Sequence, residues 1–283
     1  MKTAAVTRDR LLDLRERRFG WDGKTKIRSL ADAAKFVESV GVCMLWPVNG
    51  LDLPSLLEAR RGHQGWEEGW DKDAEATWEW KDQMAAKGRG FYGKLLRGKG
   101  TLLAADCLVD FLALAGDRTK PDGFRKQKLP PEARAVADVL LDRGQMPSKA
   151  LRAAAAAKLG VKPDVAKRGM EWLDGELWIV RCGTVREQGA AWESARYDLL
   201  PRVFGAAAKE AKGLSAGEAR RRAADRIFRT WVVSHPKILA RALGWSTSVA
   251  REVCGELIVK ESLAPTDSAF GFPEGSLRTT ALD

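Results

Sequence analysis

The sequence predicts a mainly α protein with small β hairpins, an α+β class built from tandem winged helix-turn-helix units. Apolar residues recur at helical spacing through much of the 283-residue chain. Short segments rich in Val, Ile, Trp and Tyr, typical of strands, follow groups of helices. Because this order occurs three times, we predict an N-terminal helix-turn-helix-like unit with a Trp-rich basic insertion at 1–125, a central winged-helix unit at 126–207 and a C-terminal winged-helix-like unit at 208–283.

The central unit has the clearest pattern. PPEARAVADVLLDRG, SKALRAAAAAKLG and PDVAKRGMEWLDGE each predict a helix, with Ser148 as an N-cap, Pro163 at a first-turn position, and Gly144 and Gly160 as stops. LWIVRCGTV and WESARYDLL alternate in polarity around a Gly-containing loop, which predicts a hairpin. In a winged helix the third helix enters the major groove and the hairpin, or wing, contacts the DNA backbone. Any small α+β subdomain can show the same order, and that alternative stays open.

The two flanking units repeat this order less clearly. SAGEARRRAADRIFRTWVVS, HPKILARALG and STSVAREVCGELIVKES predict three C-terminal helices, and a wing is expected around Pro273-Glu274-Gly275. In the N-terminal unit, RSLADAAKFVESVG predicts a helix capped by Ser29. The uncharged stretch GVCMLWPVNG (41–50) comes directly after it.

The charge balance indicates a polyanionic partner. Forty-eight Lys and Arg residues face 38 Asp and Glu residues, which gives a net charge of +10 and a pI near 9.6. A surplus of this size favours nucleic acid first and an anionic membrane surface second. A soluble protein that is merely basic is the alternative.

Several classes of site find no support in the sequence. The four cysteines lie far apart with no CxxC pair, and two isolated histidines are too few for a metal cluster. The glycines of GRGFYGKLLRGKGT match neither a Walker loop nor a Rossmann fingerprint. No uncharged run approaches the length of a membrane span. We therefore expect a cytoplasmic protein with reduced thiols, no cofactor, no metal and no membrane partner.

Basic residues that could contact DNA phosphates occur in three places. The segment 80–100 interleaves cations with Trp, Phe, Tyr and Gly, a composition typical of a surface that follows a phosphate backbone, although an amphipathic helix with solvated lysines is the alternative. The third helix and the wing of the central unit carry the others. The predicted DNA-binding residues are Lys81, Lys87, Arg89, Lys94, Arg97, Lys99, Lys167, Arg168, Arg181 and Arg186.

The segment WEEGWDKDAEATWEW (66–80) is acidic. Paired carboxylates can perform acid–base chemistry or hold a divalent ion. No accompanying EF-hand, HExxH or serine-elbow motif is present. We interpret the segment as a solvated acidic loop, and its role stays open.

A resemblance to a known family rests on residues 41–62. The bacterial tandem winged-helix DNA glycosylases, the AlkZ/YcaQ family, carry a segment Gly-x-Val-Gln-x-Gln/Asp-Pro followed by a Leu-rich helix with basic residues. GVCMLWPV (41–48) keeps the glycine, the proline and the hydrophobic frame, and LPSLLEARRG (53–62) resembles that helix. The resemblance implies a tandem winged-helix fold, duplex DNA as partner and a DNA repair function in recognising alkylated or crosslinked DNA.

The chain departs from the family at the two polar positions of this motif. Met44 and Trp46 occupy them, and neither a thioether nor an indole is a useful proton acceptor. The catalytic residues are therefore unknown, and we expect a DNA-binding relative without the reaction. Chemistry at another carboxylate is the alternative, with candidates Glu58, Glu67, Glu68 and Asp71. We interpret Trp46 as a buried core residue of a strand, with a stacking wedge beside a base as the alternative.

The sequence is compatible with four functions. The first is duplex DNA binding by a concave basic surface, related to DNA repair. The others are an active DNA glycosylase that uses a carboxylate outside the lost motif, a winged-helix transcription regulator, and a winged-helix protein-interaction module. No heptad seam supports a dimer, so we expect a monomer and leave the oligomeric state open.

Overall fold

The computed structural model describes residues 6–25, 27–66, 69–186 and 193–282. The chain divides into two compact units. The discontinuous unit consists of residues 1–77 and 220–283, and the continuous unit consists of residues 78–219. Helices predominate and the strands are short and antiparallel, so the predicted α+β class is confirmed.

The N-terminal part of the chain alternates helices with three-residue strands. Its elements are α1 (Arg8–Phe19), α2 (Leu30–Val40), β1 (Val42–Met44), α3 (Leu56–Arg61), α4 (Lys72–Ala86), β2 (Phe91–Gly93), β3 (Thr101–Leu103) and α5 (Ala105–Ala115). Ser29 begins α2 with a capping box that it forms with Asp32, as its sequence predicts. Strand β2 pairs antiparallel with β3.

The middle of the chain forms three helices and a three-stranded sheet. Its elements are α6 (Pro131–Arg143), β4 (Met146–Pro147), α7 (Ser148–Leu159), α8 (Pro163–Gly175), β5 (Ile179–Val185), β6 (Ser194–Leu199), α9 (Leu200–Val203) and α10 (Gly205–Ala211). The strand order is β4-β6-β5, with both pairings antiparallel. The helices enclose a core that includes Val136, Leu140 and Trp178.

The C-terminal part repeats this order. Its elements are α11 (Ala216–Trp231), β7 (Val233–Ser234), α12 (Pro236–Leu243), α13 (Thr247–Val259), β8 (Leu263–Pro265) and β9 (Leu277–Thr279). The strand order is β7-β9-β8, again antiparallel. In both repeats a helix, a short strand, two helices and a hairpin follow one another, which supports the predicted winged-helix assignment. The division into three consecutive domains stays a prediction. The two compact units have different boundaries from those three domains.

Helix α8 packs very closely on α6. A Cβ atom built on Gly169 would lie 2.5 Å from the carbonyl carbon and oxygen of Glu132. Only the absence of a side chain at this position allows the two backbones to approach so closely. This contact sets the position of α8, and therefore of the side chains on its other faces.

Both ends of the described chain pack in the discontinuous unit. Leu11 and Leu14 of α1 form a buried apolar cluster with Val232, and Phe272 and Leu282 pack against it. The Arg18 guanidinium also donates a hydrogen bond to the carbonyl oxygen of Ala281 at 2.8 Å. The first helix is thus held by residues from the last quarter of the sequence.

No helix within the described residues is both long enough and apolar enough to cross a membrane.

Candidate nucleic-acid interface

A cavity of about 220 Å³ lies on the continuous unit. It is bounded by α7, α8, β5, β6 and the end of β2, and we call it the basic cavity because four of its lining side chains are cations. The lining residues are Tyr92, Lys94, Ser148, Arg152, Lys167, Met170, Glu171, Asp174, Arg181 and Tyr197.

Helix α8 supplies four of these residues from one face. Lys167, Met170, Glu171 and Asp174 are spaced by three or four residues, so their side chains lie in one row along the helix. The helix begins at Pro163, which is favoured in the first turn because its missing N–H would have no partner there. Beside this row the Lys94 ammonium lies 3.5 Å from the Glu171 carboxylate, with both side chains about half exposed.

Arg181 of β5 lines the cavity and is held by several contacts. Its guanidinium donates a hydrogen bond to the Tyr197 hydroxyl at 3.0 Å and forms an ion pair with Asp82 at 3.2 Å. It also lies over the rings of Tyr92 and Tyr197, 5.0 and 5.6 Å from their centroids. Burial lowers the pKa of Arg181, but the combined effect of Tyr197, Asp82 and Tyr92 raises it by a larger amount. The pKa of Arg181 therefore lies above its ordinary value. Arg181 is therefore a fixed positive charge.

Lys81 does not belong to the exposed basic surface that the sequence predicts. Its side chain is completely buried, with an ion pair to Asp82 and the Trp78 ring centroid 3.7 Å from its ammonium nitrogen. Burial lowers the pKa of Lys81 to about 8, although Asp82 acts in the opposite direction. A phosphate cannot reach this ammonium, and Lys81 is removed from the set of DNA-binding candidates.

Asp174 provides a buried carboxylate in the cavity wall. Its Oδ2 atom accepts a hydrogen bond from the backbone N–H of Lys94 at 3.0 Å. Its Oδ1 atom is buried and has no hydrogen-bond partner among the residues that the structure describes. Burial raises the pKa of Asp174, while the Lys94 N–H and the charge of Arg181 lower it less. An unpaired buried acceptor costs free energy in a folded protein.

The other predicted cations have separate positions. Lys94, Lys167 and Arg181, which come from three elements, are brought together in the basic cavity. Six further predicted residues are exposed but do not line it: Lys87, Arg89, Arg97, Lys99, Arg168 and Arg186. Their contact with DNA stays a prediction.

Sequence reasoning missed Arg152, Asp174 and Tyr197, whereas Tyr92 lies in the basic, aromatic segment 80–100 that it singled out. Arg152 is the only cation of α7 that lines the cavity, and nothing in the alanine-rich sequence around it marks it as functional. Asp174 was part of the predicted third helix, and its three- and four-residue spacing from Met170, Glu171 and Lys167 was the available signal. Tyr92 and Tyr197 are brought together only by tertiary packing.

In the segment that resembles the glycosylase motif, the two polar positions of the family are occupied by Met44 and Trp46. Met44 is completely buried, and its backbone N–H donates to the Pro54 carbonyl at 2.8 Å. Trp46 lies after β1 rather than in it and is half-buried, contrary to its interpretation as a buried strand residue. Its ring contacts those of Trp66 and Trp70 edge-on, with centroid distances of 5.6 and 6.0 Å. Trp46 therefore belongs to a surface cluster of aromatic rings.

Two of the alternative carboxylates make structural hydrogen bonds. Glu58 is buried and accepts hydrogen bonds from the Ser55 hydroxyl and the Gly65 N–H, both at 2.8 Å. Asp71 accepts a hydrogen bond from the Ala74 N–H at 2.7 Å and forms an ion pair with Arg61. The hydrogen bond from Ala74 is the largest of the effects that lower the pKa of Asp71. Each carboxylate therefore stabilises the local structure around it through hydrogen bonds. Glu67 and Glu68 lie outside the described residues.

The acidic segment was predicted to be a loop, and from Lys72 onward this prediction is wrong. Asp71 caps the first turn of α4, and Asp73 in that turn pairs with Arg60 at 2.7 Å. Negative side chains in a first turn stabilise the helix, since they face its unpaired N–H groups. The carboxylates therefore start a helix.

Comparisons with known proteins agree with the fold. A family model described as AlkZ related matches residues 27–244. A solved structure of the Streptomyces sahachiroi DNA glycosylase AlkZ is similar, with a TM-score of 0.60 at 15% sequence identity, over 97% of this chain and 70% of that one. No curated protein sequence matches. At this identity the structural likeness establishes a shared fold.

Proposed function

Because the chain belongs to the AlkZ-related family, we propose that it binds duplex DNA and acts in DNA repair by recognising alkylated or crosslinked DNA. The observation that carries the proposal is the basic cavity, where Lys94, Arg152, Lys167 and Arg181 converge. The similar solved structure belongs to a DNA glycosylase, which supports the same class of partner.

The position of these cations supports contact with a phosphate backbone. Lys167 lies on α8, the third helix of the middle repeat, and this helix enters the major groove in winged-helix proteins. Arg181 lies on β5, a strand of the wing. Phosphate contacts fix the register of a protein on DNA, and they make its affinity fall with salt because condensed counterions are released.

We further propose that the chain lacks the reaction that the family motif performs. A buried thioether at Met44 and an indole at Trp46 cannot take up a proton from water. Glu58 and Asp71 are occupied by structural hydrogen bonds. A base-release assay on alkylated duplex tests this point directly, and release above background would show that another group performs the chemistry.

The proposal is tested by fluorescence anisotropy of labelled duplexes across a salt series. We expect wild-type affinity to fall steeply with salt, and Lys94→Ala and Lys167→Ala each to reduce the logarithmic salt slope by about one. Lys209→Ala is the matched control, because Lys209 is exposed on α10 and outside the cavity. Absence of binding at low salt, or equal slopes for all four proteins, would contradict the proposed interface.

The same experiment on paired intact and alkylated duplexes tests the repair assignment. Tighter binding to the damaged duplex is the expected result. Equal affinity for both, combined with a preference for one sequence, would favour a transcription regulator instead.

A further inference from the structure

We propose that the basic cavity binds a terminal phosphate monoester of a DNA strand, the group that a strand end presents at a gap. The inference rests on the proposed function, because the strand end would belong to the bound DNA. It gives the two less exposed arginines of the cavity, Arg152 and Arg181, a ligand that an intact backbone does not offer. Strand ends of this kind arise when a damaged strand is cut, which agrees with a role in DNA repair.

The four cations of the cavity differ in their exposure to solvent. The Lys94 side chain is half exposed and Lys167 is exposed, so the internal phosphates of a duplex can reach both. The Arg181 side chain is 18% exposed and Arg152 is partly buried. Internal phosphates lie on a convex backbone with an ester bond on each side, and they are poorly placed to reach groups inside a concavity. A phosphate held by one ester bond protrudes from its strand and can enter.

Both arginines keep hydrogen-bond donors for a ligand. The Arg152 Nε atom donates to the Ser148 carbonyl oxygen at 3.3 Å. Arg181 uses Nε for the Tyr197 hydroxyl and Nη1 for Asp82. Within the part of the chain that the structure describes, the Nη2 atom of each guanidinium has no protein partner and is not enclosed by protein. A guanidinium with free N–H groups donates to phosphate oxygens in fixed directions, which makes arginine a frequent phosphate ligand.

The charge of the cavity matches a phosphate monoester better than a diester. Its lining contains four cations and two carboxylates, Glu171 and Asp174, which leaves a surplus of two positive charges. Asp82, which pairs with Arg181, also pairs with the buried Lys81, so these two residues balance each other. A diester carries a single negative charge, whereas a monoester carries close to two at neutral pH and has a third free oxygen.

The size of the cavity suits one phosphoryl group. Its volume of about 220 Å³ equals the liquid volume of about seven water molecules, so the group can enter with part of its hydration. Ser148 is the first residue of α7 and lines the cavity, so the positive end of that helix borders the same space. The ion pair between Lys94 and Glu171 is half exposed and contributes little to stability, so Lys94 can turn from Glu171 to a phosphate.

The test uses a labelled dumbbell duplex, closed by hairpin loops and interrupted by a single-nucleotide gap, so that the gap supplies its only strand ends. The 5′ end at the gap carries a phosphate, a hydroxyl or a methyl ester of the phosphate, and a second series varies the 3′ end in the same way. In one of the two series we expect fluorescence anisotropy to show about tenfold tighter binding of the phosphate than of the hydroxyl, the effect of one hydrogen bond between charged groups. The methyl ester lacks the second charge and should bind like the hydroxyl.

Arg152→Gln should reduce this preference from about tenfold to about twofold, because it removes the guanidinium and its charge from the cavity. Lys158→Gln is the matched control, since it removes the same charge from an exposed position of α7 outside the cavity. The control should keep the full preference for the phosphate, whatever affinity both variants lose for all duplexes alike.

The outcomes separate this inference from the proposed function. Failure to bind any duplex would overturn both. Salt-dependent binding with equal affinity for phosphate and hydroxyl in both series would overturn the strand-end site alone. A methyl ester that binds as tightly as the phosphate would do the same, as would a preference that Arg152→Gln leaves unchanged. The comparison of the three end groups uses the wild-type protein, so it decides the inference even if Arg152→Gln does not fold.

Discussion

At the scale of single residues, Lys81 shows why composition alone does not define a binding surface. Lys81 and Lys94 lie in the same basic, aromatic stretch, yet the first is completely buried and the second half exposed. The difference comes from Trp78, Tyr92 and Asp82, which surround the Lys81 ammonium only after the chain has folded. Composition assigns both lysines to an exposed basic surface. This assignment fails for Lys81 because its burial depends on tertiary contacts that composition does not show.

The lowered pKa of Lys81 gives a prediction for stability against pH. The folded protein holds this proton with a pKa of about 8 and the unfolded chain with the ordinary value of 10.5. Because the unfolded state binds more protons between these values, the buried charge destabilises the fold below pH 8, and this cost of about 3 kcal/mol disappears as the pH rises toward 10.5.

Lys81→Met tests this prediction by removing the titrating group. The free energy of unfolding, measured with urea from pH 7 to 10.5, should show a wild-type-minus-variant difference that shifts in favour of the wild type as the pH rises. Using the difference cancels the titration of the cysteines and tyrosines. A difference independent of pH would mean that the Lys81 pKa is ordinary.

At the scale of elements, local signals predicted helices that begin and end with strong caps. Pro163 at the start of α8 and Ser29 before α2 are such signals, and both helices occur where they indicate. Helix α4 was missed because its apolar residues form only a weak stripe and its first turn depends on Arg60 and Arg61, which precede it by about ten residues. Nonlocal ion pairs have no signature in a short window of sequence.

The contact between α8 and α6 gives a second prediction. Gly169→Ala should lower the free energy of unfolding by about 1–3 kcal/mol, since the new methyl group would meet the Glu132 backbone, which cannot move aside. Gly175→Ala, on the same helix with open space around it, should raise stability by about 0.5–1 kcal/mol. Urea denaturation of both variants measures the contrast, and equal effects would mean that the two helices are less closely packed.

Only part of the basic cavity could be predicted from the sequence. The third helix and the wing were expected to carry DNA contacts, and Lys167 and Arg181 do line one cavity. Tyr92 and Lys94, however, lie more than 50 residues before the α7 segment that completes it, so no periodicity connects them. Which cations converge is decided by tertiary packing, and the spacing of charges along the chain does not show it.

At the scale of the whole molecule, the net charge of +10 and the two compact units are the main features. The core around Val136, Leu140 and Trp178 is made entirely by residues of the continuous unit. The residues that line the basic cavity also belong to that unit. The unit therefore contains its own core and its own candidate site.

A fragment of residues 78–219 should fold independently. We expect a cooperative thermal transition in circular dichroism and salt-dependent binding to duplex DNA that Lys167→Ala weakens. The equivalent experiment on residues 1–77 alone is the comparison, and this piece should lack a cooperative transition, because its unit is incomplete without 220–283. A fragment 78–219 without a transition would show that its core needs the rest of the chain.

The attachment of α1 to the end of the chain has a consequence for synthesis on the ribosome. Leu11 and Leu14 are translated more than 200 residues before their partner Val232, which takes roughly 10–40 s at ordinary elongation rates. The continuous unit is complete within that interval. During this interval the continuous unit can fold while the apolar face of α1 has no partner. We expect a chaperone that binds exposed apolar segments to bind the nascent chain in this period.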